Sequence, residues 1–305
     1  MQQYMRLALG LTVFLLCMTA ISERKGFSMG TPDTFSGKTD SPAGKSEKAT
    51  MMVAFVLLSE GRLPGAEAIV RAFPDFAASG QTVRRETDTA GKSAREQAIS
   101  LTLNTGEKCF VALMPVPVPN GEADEGAPFS LSSLSSGWKL PPHRAHLVVT
   151  FQAATGSPPV VHLSRFTSLV AAVTKASPSV GVYWGSAGVT HDPEFFTSVA
   201  SDQDLFARLM LWSGVSVARE SDGRLSLLSL GMKQLDLPDL LLVAGKSSQD
   251  AALETMFLLL AYLAERGEAL PEGDTVGRTD DEMLPVRYVT SPVDPSTKVW
   301  RVELP

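Results

Sequence analysis

The chain is poor in the residues that most chemistry needs. It has 305 residues but only 2 cysteines and 4 histidines, and its aromatic fraction is 7%. Two cysteines exclude a disulfide scaffold. No pair of histidines has the spacing of a helical zinc pair, and no Cys-x-x-Cys occurs, so no metal site and no cofactor are expected. Positive charge is also short. With 27 Lys and Arg against 33 Asp and Glu, the net charge is −6, which gives no long-range attraction for nucleic acid or an anionic membrane. No basic stripe interleaves with aromatic residues, which further argues against nucleic acid. Apolar residues make up 44%, enough for a packed core, and this excludes a wholly disordered chain.

The amino terminus is read in two ways. Residues 7–21 form an apolar run after Met5-Arg6, shorter than the roughly 20 residues of a membrane span. Such a run fits the apolar region of an export signal. Cys17 follows Leu16, which is too large for a lipoprotein site. Residues 22–50 are polar and rich in Ser, Gly, Lys and Thr, a composition that does not order itself. Met51-Met52 then stands directly before a strand, as a start codon assigned too far upstream would leave it. A start at Met51 or Met52 implies a cytoplasmic protein. A genuine leader implies export, or membrane anchoring through residues 7–21. In both cases the globular part is expected to run from 51 to 305 as one domain.

Within that part, hydrophobic patterning sets the elements. Met52–Leu58 reads as a strand buried on both faces. Residues 66–76 read as a helix, 79–96 as a loop, and 98–103 with 109–114 as a hairpin around Asn104-Thr105-Gly106. Pro115, Pro117 and Pro119 cannot donate to a ladder, so the chain leaves the sheet there. Residues 120–142 read as a loop anchored by Trp138. Then come a strand at 146–151 and a helix after Pro158-Pro159 with Leu163, Phe166, Val170 and Val173 on one face. Val180–Trp184 reads as a strand. Asp192-Pro193-Glu194 supplies an N-cap, a first-turn proline and a first-turn acid for the next helix. Leu209–Val217 and Leu225–Leu230 read as strands joined by an Asp222-Gly223 turn. Leu240–Val243 reads as a strand. A helix then runs from a cap at Ser247 to Gly267, and residues 268–281 form a charged loop before two final strands, 286–289 and 299–302. Hairpins among the helices predict an α+β fold, with mixed, mainly antiparallel sheets and helices packed on their faces.

One segment gathers candidate chemistry, running from Tyr183 and Trp184 through Gly185, Ser186 and Gly188 to His191 and Asp192. It joins a strand end, a glycine loop and a helix start, where free N–H groups favour an anion. His191 beside Asp192 could serve as acid or base, with Tyr183, in a small hydrolase- or transferase-like enzyme. Trp184, Gly185, Ser186 and Gly188 would then line a ligand site. The plainer reading has Asp192 cap the helix, the glycines permit a tight turn and Trp184 fill the core. Other motifs fail on spacing. Gly91-Lys92-Ser93 and Gly245-Lys246-Ser247 lack the glycine five residues before, and no Gly-x-Ser-x-Gly occurs. Asp280-Asp281-Glu282 are adjacent and do not converge. His143 and His146 lie three apart at a strand entry and point to opposite faces, while His162 sits in a first helical turn and is expected to be solvated. Cys109 reads as a small buried hydrophobe.

Residues 223–277 also carry Gly223-Arg224-Leu225-Ser226-Leu227, Gly231-Met232, Leu237-Pro238-Asp239 and Glu272-Gly273-Asp274-Thr275-Val276-Gly277. Together these resemble the bacterial domain-of-unknown-function family numbered 4261. The likeness extends over about residues 52–280 through the opening strand, Ala112-Leu113-Met114-Pro115, His143-Arg144-Ala145-His146-Leu147 and Tyr183-Trp184-Gly185-Ser186, with its core at about 206–280. Members begin at the opening strand, which favours the later start, and the polar leader departs from that pattern. The resemblance implies no activity and no catalytic residues. The expected function is therefore a non-catalytic binding or interaction domain for a protein or small-molecule partner, with the enzyme built on His191 and Asp192 as the alternative.

Overall fold

A computed structural model describes residues 51–86, 98–154, 156–245, 247–277 and 282–305. The leader, Cys17, Gly91-Lys92-Ser93, Lys246 and Asp280-Asp281 lie outside the described residues. The chain divides into Met1–Ala49 and Thr50–Pro305, and the second unit holds every element below.

Seven strands form the large sheet: β1 (Met51–Leu58), β2 (Val83–Arg85), β3 (Ala98–Leu103), β4 (Lys108–Met114), β5 (Ala145–Gln152), β6 (Ser179–Trp184) and β7 (Val189–His191), in the order β2-β3-β4-β5-β1-β6-β7. All its pairs are antiparallel. Five strands form the small sheet: β8 (Gly214–Arg219), β9 (Leu225–Leu230), β10 (Leu240–Val243), β13 (Arg287–Thr290) and β14 (Lys298–Glu303), in the order β13-β14-β10-β9-β8. Its one parallel pair is β10 with β14. Two residues each of β11 (Thr275–Val276) and β12 (Leu284–Pro285) pair separately.

Helices link the sheets in a row. α1 (Ala66–Ala72) packs on α4 (Pro159–Lys175), α4 on α5 (Pro193–Ala200), α5 on α6 (Leu205–Trp212), and α6 on α7 (Gln249–Arg266). α4 lies on β1 and β6 at one end of the row, and α7 lies on β9 and β10 at the other. Two short helices, α2 (Glu122–Gly126) and α3 (Leu131–Ser136), cross the opposite, outer face of the large sheet near β7. The architecture is α+β with mostly antiparallel sheets.

Several local expectations need correcting. Residues 205–212 are a helix, although the run from Leu209 was expected to be a strand. Asp204 caps it, its carboxylate accepting from Phe206 N–H at 2.8 Å. A buried helix is apolar all round, so its run carries no helical period to betray it. Ser248, not Ser247, caps α7, accepting from Ala251 N–H at 3.3 Å. The expected loops at 79–96, 120–142 and 268–281 contain β2, the two helices α2 and α3, and β11. Trp138 is only half-buried. Val118 and Ala123 anchor that segment instead, packed on Leu57 and Tyr183. β1 is buried on both faces only at its Leu57 end, since Val53 and Phe55 on the outer face are half-buried.

Gly231 shows how the two sheets meet. It has φ +115, and a Cβ there would lie 2.5 Å from the Ala187 Cβ and 2.9 Å from the Trp212 carbonyl. Only glycine allows this backbone to approach so closely. Gln234 then bridges the contact. Its Oε1 accepts from Trp184 Nε1 at 2.9 Å, and its Nε2 donates to the Trp212 carbonyl at 2.7 Å.

Candidate functional site

Pairing register decides where the side chains of the 183–192 segment go. In an antiparallel ladder directly opposed residues share a face. Val182 opposes His191, Tyr183 opposes Thr190, and Trp184 opposes Val189. His191 therefore shares the inner face with Trp184, while Tyr183 and Thr190 share the outer one.

On the inner face His191 and Trp184 are sealed. His191 is fully buried, its Nε2 bonded at 3.0 Å to the Leu211 carbonyl, and its ring lies 6.0 Å from Phe195 and 5.9 Å from Phe196. Burial pushes its pKa down to about 4, only partly opposed by the bond to Leu211, so the ring is neutral at pH 7. Trp184 stacks with Phe166 and Phe196 at 5.0 and 6.2 Å. Asp192 caps α5, its Oδ2 accepting from Phe195 N–H at 3.3 Å, and its pKa is raised mainly by burial.

On the outer face, Tyr183 stacks on Phe55 with ring centroids 5.7 Å apart. Burial raises its pKa, and the carboxylates of Glu122 and Glu125 add to the rise. Thr190 Oγ1 donates to the Ala123 carbonyl at 2.6 Å. The sheet thus separates Tyr183 from His191, while Asp192 lies past the end of β7, its N–H donating to Ser132 Oγ at 3.2 Å. Gly185 and Ser186 are exposed at the hairpin tip, and Gly188 is pressed from beneath by Gly126, where a Cβ would lie 2.7 Å from the Gly188 carbonyl oxygen.

The other histidines also sit in packed surroundings. His143 Nε2 accepts from Val118 N–H at 3.2 Å, and His146 Nδ1 lies 2.8 Å from the Val116 carbonyl. His162 was expected to be solvated but is 7% exposed, with the buried Glu107 beside it. Its Nδ1 is 3.9 Å from Glu107 Oε1. Glu107 is fully buried and takes bonds from Arg165 and Thr105. Burial works against its charge, yet those bonds and the Arg165 charge leave its carboxyl below the usual range. Cys109 is a free thiol in the core, its pKa pushed up by burial. Among the described residues no group of three or more His, Cys, Asp and Glu could hold a metal ion, and no helix is long and apolar enough to cross a membrane.

A different surface stands open. Register places Phe110, Thr150 and Val53 in one row across β4, β5 and β1, with Ala112, Val148 and Phe55 in the next row. All six are on the outer face. Phe110 is 43% exposed, and the other five are half-buried. Met51, at the end of the same face, is 57% exposed. The sequence hides this surface: residues 108–114 are apolar on both faces after Lys108, so no polar alternation marks the open side.

The Gly231–Asp239 turn, quoted above for its family likeness, is structural. Asp239 Oδ1 accepts from Ser229 Oγ at 3.0 Å and Met232 N–H at 3.1 Å, while Ser229 Oγ accepts from Leu240 N–H at 2.8 Å. Burial raises the Asp239 pKa against these bonds.

The molecule is thus an α+β protein of two mainly antiparallel sheets with an internal row of helices, in which His191 is packed and Asp192 caps α5. Residues 228–303 match the family model described as Domain of unknown function (DUF4261). The match takes in the second half of β9, then β10, α7 and β11 to β14, so that domain covers the small sheet without β8 and the first half of β9, together with its covering helix. It overlaps the expected range of 52–280 in its last part and runs beyond it to the final strand. No curated protein and no solved structure matches the chain.

Proposed function

We propose that the protein is a non-catalytic interaction domain that takes a protein partner on the open half of the outer face of the large sheet. The observation that carries this reading is the row pair Phe110-Thr150-Val53 and Ala112-Val148-Phe55, apolar apart from the Thr150 hydroxyl and open to solvent. Exposed apolar side chains gathered into one large contiguous patch mark interaction sites. The sealed ring of His191 and the helix-capping role of Asp192 weigh on the same side, since a general base must reach the proton it takes.

The test compares two variants of the full chain, Phe110→Asp on the open face and His191→Gln in the core. Each is used, tagged, to capture proteins from native lysate, with folding checked by circular dichroism. Loss of the captured protein with Phe110→Asp alone is expected. Capture that ignores Phe110→Asp overturns the reading.

A further inference from the structure

We infer that the occupant of this open face is an amphipathic helix of a partner protein, apolar on one side and basic along the flank that meets α2. The inference rests on the reading of the face as an interaction surface and deepens it.

The limits of the face set the shape of the occupant. Toward β3 it ends at β4, because Ser100 and Thr102, opposite Phe110 and Lys108, are buried. Toward β6 it ends at β1, where Tyr183 lies opposite Phe55 and Ala123 of α2 packs beside it. Residues 116–118 close one end, with the Val116 carbonyl 2.8 Å from His146 Nδ1 and Val118 packed on Leu57. The other end, the row Lys108-Gln152-Met51, is exposed. What stands open is three strands wide, about 14 Å, and about 20 Å long. One helix, about 10–12 Å across, fills that width, and three to four turns run roughly its length.

The chemistry of the floor selects a helix over an extended segment. β4, β5 and β1 are interior strands, each hydrogen-bonded to a strand on both sides, so they offer no free backbone edge. A segment laid on them must satisfy its own N–H and C=O groups, which a helix does and a lone strand does not. The inner face of the large sheet is covered in this way, by α4 on β1 and β6.

Charge selects the flank. Glu122 and Glu125 stand beside Tyr183, whose hydroxyl bonds to Glu122, and together with Asp124 they are exposed on α2, the wall along β1. On the far rim Lys108 is exposed on β4 and Arg84 on β2, both at the open end. The carboxylates are gathered in one short helix, whereas the two cations sit at one corner. The partner's basic residues therefore belong on the α2 side. The footprint, roughly 300 Å² on each partner, is well below that of a standard interface, and a dissociation constant of about 10–100 μM follows.

The experiment uses two synthetic peptides of about 15 residues, each stapled into a helix on its solvent side, since free helices of that length are marginal in water. Both carry one leucine stripe at helical spacing; one has lysine on its flanks and the other glutamate. Binding to the full chain is read by fluorescence anisotropy, and folding of each variant by circular dichroism. The lysine peptide is expected to bind at about 10–100 μM, and the glutamate peptide about tenfold more weakly. Phe110→Ser removes binding of the lysine peptide. Glu122→Gln with Glu125→Gln keeps an acceptor for Tyr183 and weakens that binding about fivefold, as the loss of two exposed charge pairs does. Glu254→Gln with Glu265→Gln, at exposed positions of α7 over the small sheet, makes the same change in net charge and leaves it as it was. A lysine peptide that does not bind overturns the proposal, as does binding that ignores Phe110→Ser. So does a glutamate peptide that binds as tightly, or a Glu122 and Glu125 pair that matters no more than the α7 pair. If the proposal falls while Phe110→Asp still abolishes capture of a protein from lysate, the occupant is not a basic helix and the interaction reading stands. If capture also ignores Phe110→Asp, both fail.

Discussion

Replacing Arg208 by methionine should leave the protein as stable as it is or make it more so. Arg208 lies in α6 and is fully buried. One amino group donates to the Phe76 carbonyl at 3.1 Å and lies 3.5 Å from Ser168 Oγ, while Nε and the other amino group have no partner among the described residues. Burial pulls its pKa down to about 10, with Asp202 offsetting part of the fall, so it stays charged at neutral pH. That depression corresponds to roughly 3 kcal/mol of desolvation cost. Loss of the hydrogen bond to Phe76 would remove about 1–2 kcal/mol. The Phe76 carbonyl itself stays satisfied, because Ser168 Oγ and Gln203 Nε2 already donate to it at 2.7 and 2.8 Å. Arg208→Met is therefore expected to change stability by between zero and about +2 kcal/mol, and Arg208→Ala, which also opens a cavity, to lower it by about 2 kcal/mol or more. Urea denaturation followed by tryptophan fluorescence measures both. A loss above about 2 kcal/mol for Arg208→Met would refute the reasoning, because a charge that costly to remove must be compensated.

Other outcomes follow from the same packing. His191 has a folded pKa of about 4 against 6.5 unfolded, so the unfolded chain binds the extra proton between those values. Its contribution is intact above pH 6.5 and is lost as pH falls toward 4, amounting to about 3 kcal/mol. The difference in denaturation midpoint between wild type and His191→Gln should be flat above pH 6.5 and slope below it; a flat difference throughout would count against a sealed ring. Gly231→Ala places a Cβ 2.5 Å from Ala187 at φ +115 and should cost about 3 kcal/mol or more, read as a fall in thermal midpoint. Asp239→Ala strands the Ser229 hydroxyl and the Met232 N–H and should cost about 2–4 kcal/mol, whereas Asp239→Asn, which keeps an acceptor, should cost less in the same assay.

Much of the fold was legible wherever a local signal is strong. The Asp222-Gly223 turn sits in a hairpin with Gly223 at φ +86, Asp192 caps α5, and Gly267 ends α7 at φ +73. These depend on a few adjacent residues and on backbone sterics. The α6 helix and the short elements α2, α3 and β2 were not legible, because a wholly buried helix and three- to six-residue elements carry no period of their own. The segment from Tyr183 to Asp192 is crowded with polar and aromatic groups in the sequence. Its meaning changed with the β6–β7 register, which sends alternate side chains to opposite faces of one sheet.

By itself, the sequence determined most of the longer strands, the Asp192 cap, the Asp222-Gly223 turn and the absence of any spaced metal or phosphate motif, because those follow from neighbours along the chain. Only the tertiary structure decided that His191 is sealed against Phe195 and Phe196, that Arg208 is a buried cation, and that Phe110, Val53 and Phe55 stand open together. Burial is set by what packs above a residue, and those groups come from strands and helices far away in the chain.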